Sequence, residues 1–384
     1  LNERLPKGLQ SLPPRIQIVL RMGIYQLRYL ERVERAVVVD SAVELAKRFS
    51  SAPLARLVNA ILRRYLREES EPKVEVSPKN ADEISKAFSH PLWIVEQWIG
   101  QIGTEETIAL CKINNEEWPL YIRVNRLKVS KEELIRLLAE EGVIAKPGRF
   151  AKDALQVMER KGKIQLHKLR SFQEGLFTVQ DEGACLVSEV SFAGPYEVII
   201  DLCAAPGGKT THLAILNRNE GTILAVDPSE KRLDLVRDNC RRLGITNVDY
   251  VCTDGRTLGR HQAADFILVD APCSGLGVVG RRSDLRWNRA HDTIAPLCAL
   301  QLELLQHAAQ LVKKGGRLVY STCTTSHEEN EGIIEKFLST NSDFVVTPIV
   351  HSMSELLTSE GYLRTWPQRH YLGGGFVALL DRCG

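Results

Sequence analysis

Two cysteines stand in matching surroundings: Cys273 in "DAPCSG" and Cys323 in "STCTTS", each just after a run of apolar residues. Cysteine is usually an inert small hydrophobe, which suits Cys185, Cys240 and Cys298 in stretches of helical spacing. Two cysteines at the ends of two strands ask for a shared chemistry. The C5 carbon of cytosine is too poor a nucleophile to take a methyl group, but a thiolate that adds at C6 turns the ring into an enamine-like species that can. One cysteine is then the nucleophile, and the other assists its release once the C5 proton has gone. Residue types leave open which is which. Asp270, three residues before Cys273, is an acid or hydrogen-bonding group suited to N3 of such a ring.

A methyl donor has to lie nearby, and "DLCAAPGGKTTH" (Asp201 to His212) is where one is read. Its Gly-Gly-Lys-Thr ending looks like a phosphate loop, yet Cys203 stands where G-x-x-x-x-G-K-[ST] requires its first glycine. Nor does the loop hold the three glycines of G-x-G-x-x-G. What remains is a strand, a turn of small residues and a helix start, where backbone can approach a ligand closely. Asp227 ends the next strand about 20 residues on, the position that accepts from ribose hydroxyls. Asp254 in "VCTDG" ends a third strand and suits an adenine amino group, although either acid can instead cap the turn after it. A ribose acid and an adenine acid without a phosphate cradle point to S-adenosylmethionine. The target base must reach this pocket unstacked from its neighbours.

The elements that position these residues follow from periodicity. Apolar residues recur at three- and four-residue spacing from Leu9 to Arg67, predicting a helical bundle over residues 1–68, and the polar stretch at 69–80 reads as a linker. Residues 81–170 hold linker helices, with Pro91 near a helix start, and then a strand, helix, strand, strand pattern ("PLYIRVN", "SKEELIRLLAEEG", "VIAKPGRF", "ALQVME"). That pattern suits a ferredoxin-like or RNA-recognition-type module, without the aromatic-rich strand that stacks bases. From Ser171, short apolar strands alternate with helices, predicting a parallel, doubly wound sheet whose ligands bind beyond the strands' carboxyl ends.

The 384 residues are 44% hydrophobic and 26% charged, an ordinary globular composition. No apolar run reaches the roughly 18 residues of a membrane span, and "LNERLPKG" has no leader-like pattern. Nine scattered cysteines without a C-x-x-C pair argue against a disulfide framework and a zinc site, so no metal is expected and the cytoplasm is the expected compartment. A net charge of +2 is weak evidence for nucleic acid. The clusters Arg63 to Arg67, Arg160 to Arg170 and Arg281 to Arg289 are candidate phosphate contacts, each also readable as a solvated face.

With those residues laid out, "DLCAAPGGKT", "AVDPSEKRL", "DAPCSGLGVVGRRSDLRW" and "YSTCTTSHEENE" resemble, in order and spacing, the Sun group of RNA cytosine-5 methyltransferases. "YIRVN" and "FTVQDEGACLV" look like the motifs that precede that group's core. One departure is Arg282-Ser283, where the group usually has His-Pro. "RIQIVLRMGIYQLRYLERVERAVVVDSAVELAK" is similar to the NusB-type RNA-binding domain of the group's bacterial Sun/RsmB-type members, here without its first helix. The resemblance implies a Rossmann-like class I methyltransferase core (171–384), a small α/β module and an all-α NusB-like domain. It implies Cys323 as nucleophile, Cys273 as release cysteine, and a methyl-donor pocket of Cys203, Ala204, Ala205, Pro206, Gly207, Gly208, Lys209, Asp227, Asp254 and Asp270. The implied substrate is 16S rRNA, as free RNA or an early assembly state, at the cytosine conventionally numbered 967, with the enzyme a monomer. The same chemistry on tRNA, or a non-catalytic assembly factor that keeps the pocket, are the alternatives.

Overall fold

Amphipathic helices open the chain. In the computed structural model, which describes residues 1–69, 78–259 and 264–384, helices Pro14–Tyr29, Arg35–Phe49 and Ala52–Glu69 form the first of two units, Leu1–Ser77. Pro14 opens the first helix, where a missing N–H costs nothing. Ile16, Leu20, Leu27, Val38, Ala42, Val58 and Leu62 close its core. Gly23 lets two of these helices approach closely, since a Cβ there would sit 2.9 Å from the Leu62 side chain. Most of the expected linker, residues 70–77, lies outside the described residues.

The second unit, Pro78–Gly384, begins with helices Ala81–Phe88 and Leu92–Ile113. Asn80 caps the first of them by accepting from the Glu83 N–H, and the Glu83 carboxylate reaches back to accept from the Lys79 N–H and the Asn80 side chain. The second is broken at Gly103, whose φ of 78° few other residues adopt. A small antiparallel sheet follows, from β1 (Leu120–Val124), β2 (Val143–Pro147), β3 (Ala154–Arg160) and β4 (Phe177–Val179), in the order β2-β3-β1-β4. Helix Lys131–Glu140 covers it through Leu134 and Leu138, packed on Ile122, Val124, Leu155 and Phe177. Its fourth strand comes from beyond residue 170, where the module was expected to end. Phe177 pairs with Val124 and buries its ring in the module's core, so tertiary pairing carries this sheet across the expected boundary.

The large sheet contains β5 (Val198–Asp201), β6 (Thr222–Asp227), β7 (Val248–Cys252), β8 (Ala264–Asp270), β9 (Val312–Thr322), β10 (Phe344–Val346), β11 (Leu363–Thr365) and β12 (Gly375–Arg382). Its order is β10-β12-β9-β8-β5-β6-β7, with β11 paired to β12. β5 through β9 are mutually parallel. The expectation of an all-parallel sheet is corrected at one edge: β12 returns directly beside β9, and β10 and β11 pair with it antiparallel. Both faces of the parallel part are covered. Phe266 and Leu268 join Leu213 and Leu233 on one side, while Ile267 and Val269 join Leu304 and Ile333 on the other, the period-two alternation of a doubly covered strand. Strand order reverses between β5 and β8, which makes their carboxyl ends the crevice of this architecture.

Candidate active site

β8 and β9 lie side by side, parallel, with Asp270 opposite Ser321. Each chain then turns out of the sheet, and the next few residues bring the Sγ atoms of Cys273 and Cys323 within 3.3 Å. The Cys323 N–H also donates to Cys273 Sγ, at 3.4 Å. The two sulfurs differ in environment. A hydrogen bond from the Cys273 thiol, with help from the Lys209 ammonium, holds the Cys323 pKa below the ordinary thiol value against the effect of burial. The same bond, then burial, pushes Cys273 well up. The pair favours a thiolate at Cys323 and a thiol at Cys273.

Asp270 is fixed on both oxygens: Ser321 Oγ donates to Oδ1 at 2.8 Å and Lys209 Nζ pairs with Oδ2 at 2.7 Å. Burial alone would lower the Lys209 pKa, but the Asp270 carboxylate outweighs it and the net direction is up, so Lys209 stays an ammonium. Lys209 is delivered by the loop after β5. Gly207, at φ 98°, turns the chain into helix Gly208–Leu216. Asp201, at the foot of the loop, accepts from Thr210 Oγ1 at 2.7 Å, and its burial raises the pKa to about 7. The loop carbonyls of Ala205 and Pro206 accept from Arg232 and Asn239 at 2.9 and 3.0 Å. Burial pushes the Cys203 thiol up, leaving it unreactive beside the other two.

The acids expected to hold a methyl donor differ in availability. The buried Asp227 carboxylate accepts from the Ser229 N–H at 3.0 Å and pairs with the mostly exposed Arg232 at 3.2 Å. An ionised carboxylate offers about four lone-pair sites, so hydroxyl groups still find acceptors, and the donor set fits a ribose. Asp254 departs from the expectation. It caps the turn Gly255–Thr257 through the Arg256 N–H, and both its oxygens are taken by the Arg256 guanidinium, at 3.0 and 2.7 Å. The local reason is the Arg two residues on, and a ligand reaching Asp254 has to displace it.

A cavity of about 120 Å³ adjoins Cys323, lined among others by Asp181, Lys209, Thr322, Thr365 and the Gly373–Gly375 backbone. A larger cleft of about 760 Å³ is lined by Arg364 and Trp366, neighbours in sequence of the Leu363 and Thr365 that line the first. It holds neither cysteine and lies on the opposite face of β11. In the basic cluster Arg281 to Arg289, three arginines bond within the protein: Arg281 donates to Asp181 at 2.6 Å, Arg286 to Asn115 at 2.6 Å and Arg289 to the Ser274 carbonyl at 3.1 Å. These three arginines hold the loop after Cys273, a use that the cluster reading did not foresee, while Arg282 stays exposed.

Sequence reasoning missed Glu329. Its buried carboxylate accepts from the Ser274 N–H (2.8 Å), Ser274 Oγ (2.5 Å), Gln301 Nε2 (3.0 Å) and Thr324 Oγ1 (3.2 Å). An acid just before an amphipathic helix reads as ordinary first-turn preference, and only the contact with both cysteine loops separates it from that. It missed Asp181 too, hidden in the motif "FTVQDEGACLV".

Residues 193–381 match the family described as 16S rRNA methyltransferase RsmB/F, residues 90–164 the RsmF/B-like ferredoxin-like domain, and residues 1–67 the NusB family. The chain is 37% identical over 383 residues to the probable ribosomal RNA small subunit methyltransferase B of Synechocystis sp., spanning 98% of this chain and 85% of that protein. Among solved structures it is similar to PH0851, with a TM-score of 0.81 at 32% identity over 98% of this chain and 84% of that one. It is also similar to NSun6 from Pyrococcus horikoshii with SFG, with a TM-score of 0.69 at 28% identity over 77% of this chain and 98% of that one.

Proposed function

Because the chain belongs to the RsmB/F family of 16S rRNA methyltransferases, we propose that it methylates C5 of a cytosine in 16S rRNA, the one conventionally numbered 967, through a covalent cysteine adduct. The observation that carries this reading is the pair of sulfurs 3.3 Å apart, next to the Lys209–Asp270 ion pair. The loop Cys203–Lys209 with Asp227 would hold S-adenosylmethionine, which would supply the electrophilic methyl group. The SFG held by the structural relative NSun6 is an analogue of S-adenosylmethionine, which supports that assignment.

The protein's own groups account for the remaining steps. An unstacked cytosine enters the cavity beside Cys323, and the thiolate adds to C6, making the S–C6 bond and pushing the ring electrons toward N3. Asp270, with the Lys209 proton at hand, neutralises the charge growing at N3. With a donor bound, C5 would take the methyl group and S-adenosylhomocysteine would leave; the N3 proton returns to the Lys209–Asp270 pair, the C5 proton replaces the one that Cys273 gives up, and the S–C6 bond breaks to restore the ring. Cys273, held as a thiol, returns a proton to the departing Cys323 sulfur. Asp254 would join the cofactor site only after Arg256 lets go.

The test is methylation of 16S rRNA by purified protein with labelled S-adenosylmethionine, read by bisulfite mapping. Cys323→Ala should abolish both adduct and product, and Cys273→Ala should accumulate the RNA–protein adduct. Normal methylation by Cys323→Ala, or a label that maps to no 16S cytosine, sinks this reading.

A further inference from the structure

Behind the two cysteines lies a buried carboxylate to which the steps above give no work. Ser274 follows Cys273 and Thr324 follows Cys323; Glu329 accepts from the Ser274 N–H and Oγ, and the single Thr324 hydroxyl proton lies between the carboxylate at 3.2 Å and Ser274 Oγ at 2.7 Å. Gln301 ties the same carboxylate to helix Ile294–Leu311 and donates to the Pro272 carbonyl at 2.9 Å. The Glu329 carbonyl accepts from the Tyr320 hydroxyl at 2.6 Å, which anchors the residue to β9. Burying a carboxylate costs several kcal/mol unless hydrogen bonds satisfy it. A hydroxyl network of neutral residues would close these loops without that cost, so a charge kept here points to a use for the charge.

We propose that Glu329 is a positioning residue: it clamps the two cysteine loops at their working separation and, through its charge beside the Cys273 loop, keeps the two sulfurs in different roles. The inference rests on the covalent mechanism proposed above. Glu329 bonds the main-chain N–H directly after Cys273 but only the side chain after Cys323, and Cys323 has the Lys209 ammonium to offset a negative neighbour. A nearby negative charge opposes loss of the thiol proton, and Glu329 acts in that direction on both sulfurs; its direct bond to the main chain next to Cys273 makes Cys273 the one it holds more closely. The other titratable groups facing the pair are Asp270 at the end of β8, Lys209 on helix Gly208–Leu216, Tyr320 on β9 and Cys298 on helix Ile294–Leu311.

The experiment follows alkylation of each cysteine by iodoacetamide across pH, site by site by mass spectrometry, in the full-length protein without RNA. In Glu329→Gln, which keeps the volume and removes the charge, the half-alkylation pH of Cys273 should fall by about one unit relative to Cys323. Glu329→Asp keeps the charge but withdraws it by one methylene, so the same gap should narrow by less; it gives the reading if the Gln variant does not fold. A gap equal to wild type in the folded variant overturns the proposal and leaves Glu329 a structural tie. No RNA takes part, so that result is separate from the Cys323→Ala methylation assay, which alone judges the covalent mechanism.

Discussion

At the residue scale the site is a set of paired charges, and one pair makes a sharp test. Asp254 and Arg256 are both more than a third exposed, and such surface pairs are worth about 0–1 kcal/mol. If Asp254 receives the adenine amino group, Arg256→Ala removes a competitor and should tighten S-adenosylmethionine binding by up to about five-fold in calorimetry. Unchanged affinity would assign Asp254 to its turn alone. The candidate residues were legible because strand ends expose functional groups, and the motifs quoted above carry them. Their pairing was not, because Lys209 and Asp270 stand 61 positions apart and no local pattern records that they meet. The same holds for the difference between the cysteines. Residue type left nucleophile and release cysteine interchangeable, and the Lys209 ammonium that helps lower the Cys323 pKa comes from a helix far away in the chain.

At the element scale Arg123 fastens the small sheet to the start of helix Gly208–Leu216. Arg123, buried on β1, donates to Thr211 Oγ1 at 2.9 Å and also to the Gly208 carbonyl and Gln180 Oε1. Arg123→Met should cost about 3 kcal/mol, because it strands buried acceptors at the helix start. A thermal midpoint within error of wild type would show that the tie carries no load. Period-two alternation in "PLYIRVN" gave the strand correctly, but an arginine in a strand reads as its solvent face, so its burial was illegible. β4 was assigned beyond the module for a similar reason. Three residues pairing across 53 positions, Val124 to Phe177, leave no periodic trace.

At the scale of the whole molecule, buried titratable groups give stability a pH dependence with two opposed slopes. Burial, then the Arg123 charge, lowers the His212 pKa to about 4. Its unfolded value is about 6.5, so the stability it contributes is complete above that pH and lost as pH falls toward 4. Burial raises Asp201 to about 7, and that contribution is complete below its unfolded value near 4 and lost as pH rises through 7. Scanning calorimetry should therefore find His212→Gln gaining on wild type as pH falls from 6.5, by about 3 kcal/mol across its window, and Asp201→Asn gaining as pH rises past 4, by about 4 kcal/mol across its own. Parallel pH profiles for wild type and either variant would contradict the buried state of that group. The sequence by itself determined the domain types, the strand–helix alternation and which residues were candidates for the chemistry, because hydrophobic period and motif spacing are local. Tertiary structure alone decided which groups touch. It set the antiparallel edge beside β9, the internal use of Arg281, Arg286 and Arg289, and the carboxylate of Glu329 behind both cysteines, since those contacts join residues far apart in the chain.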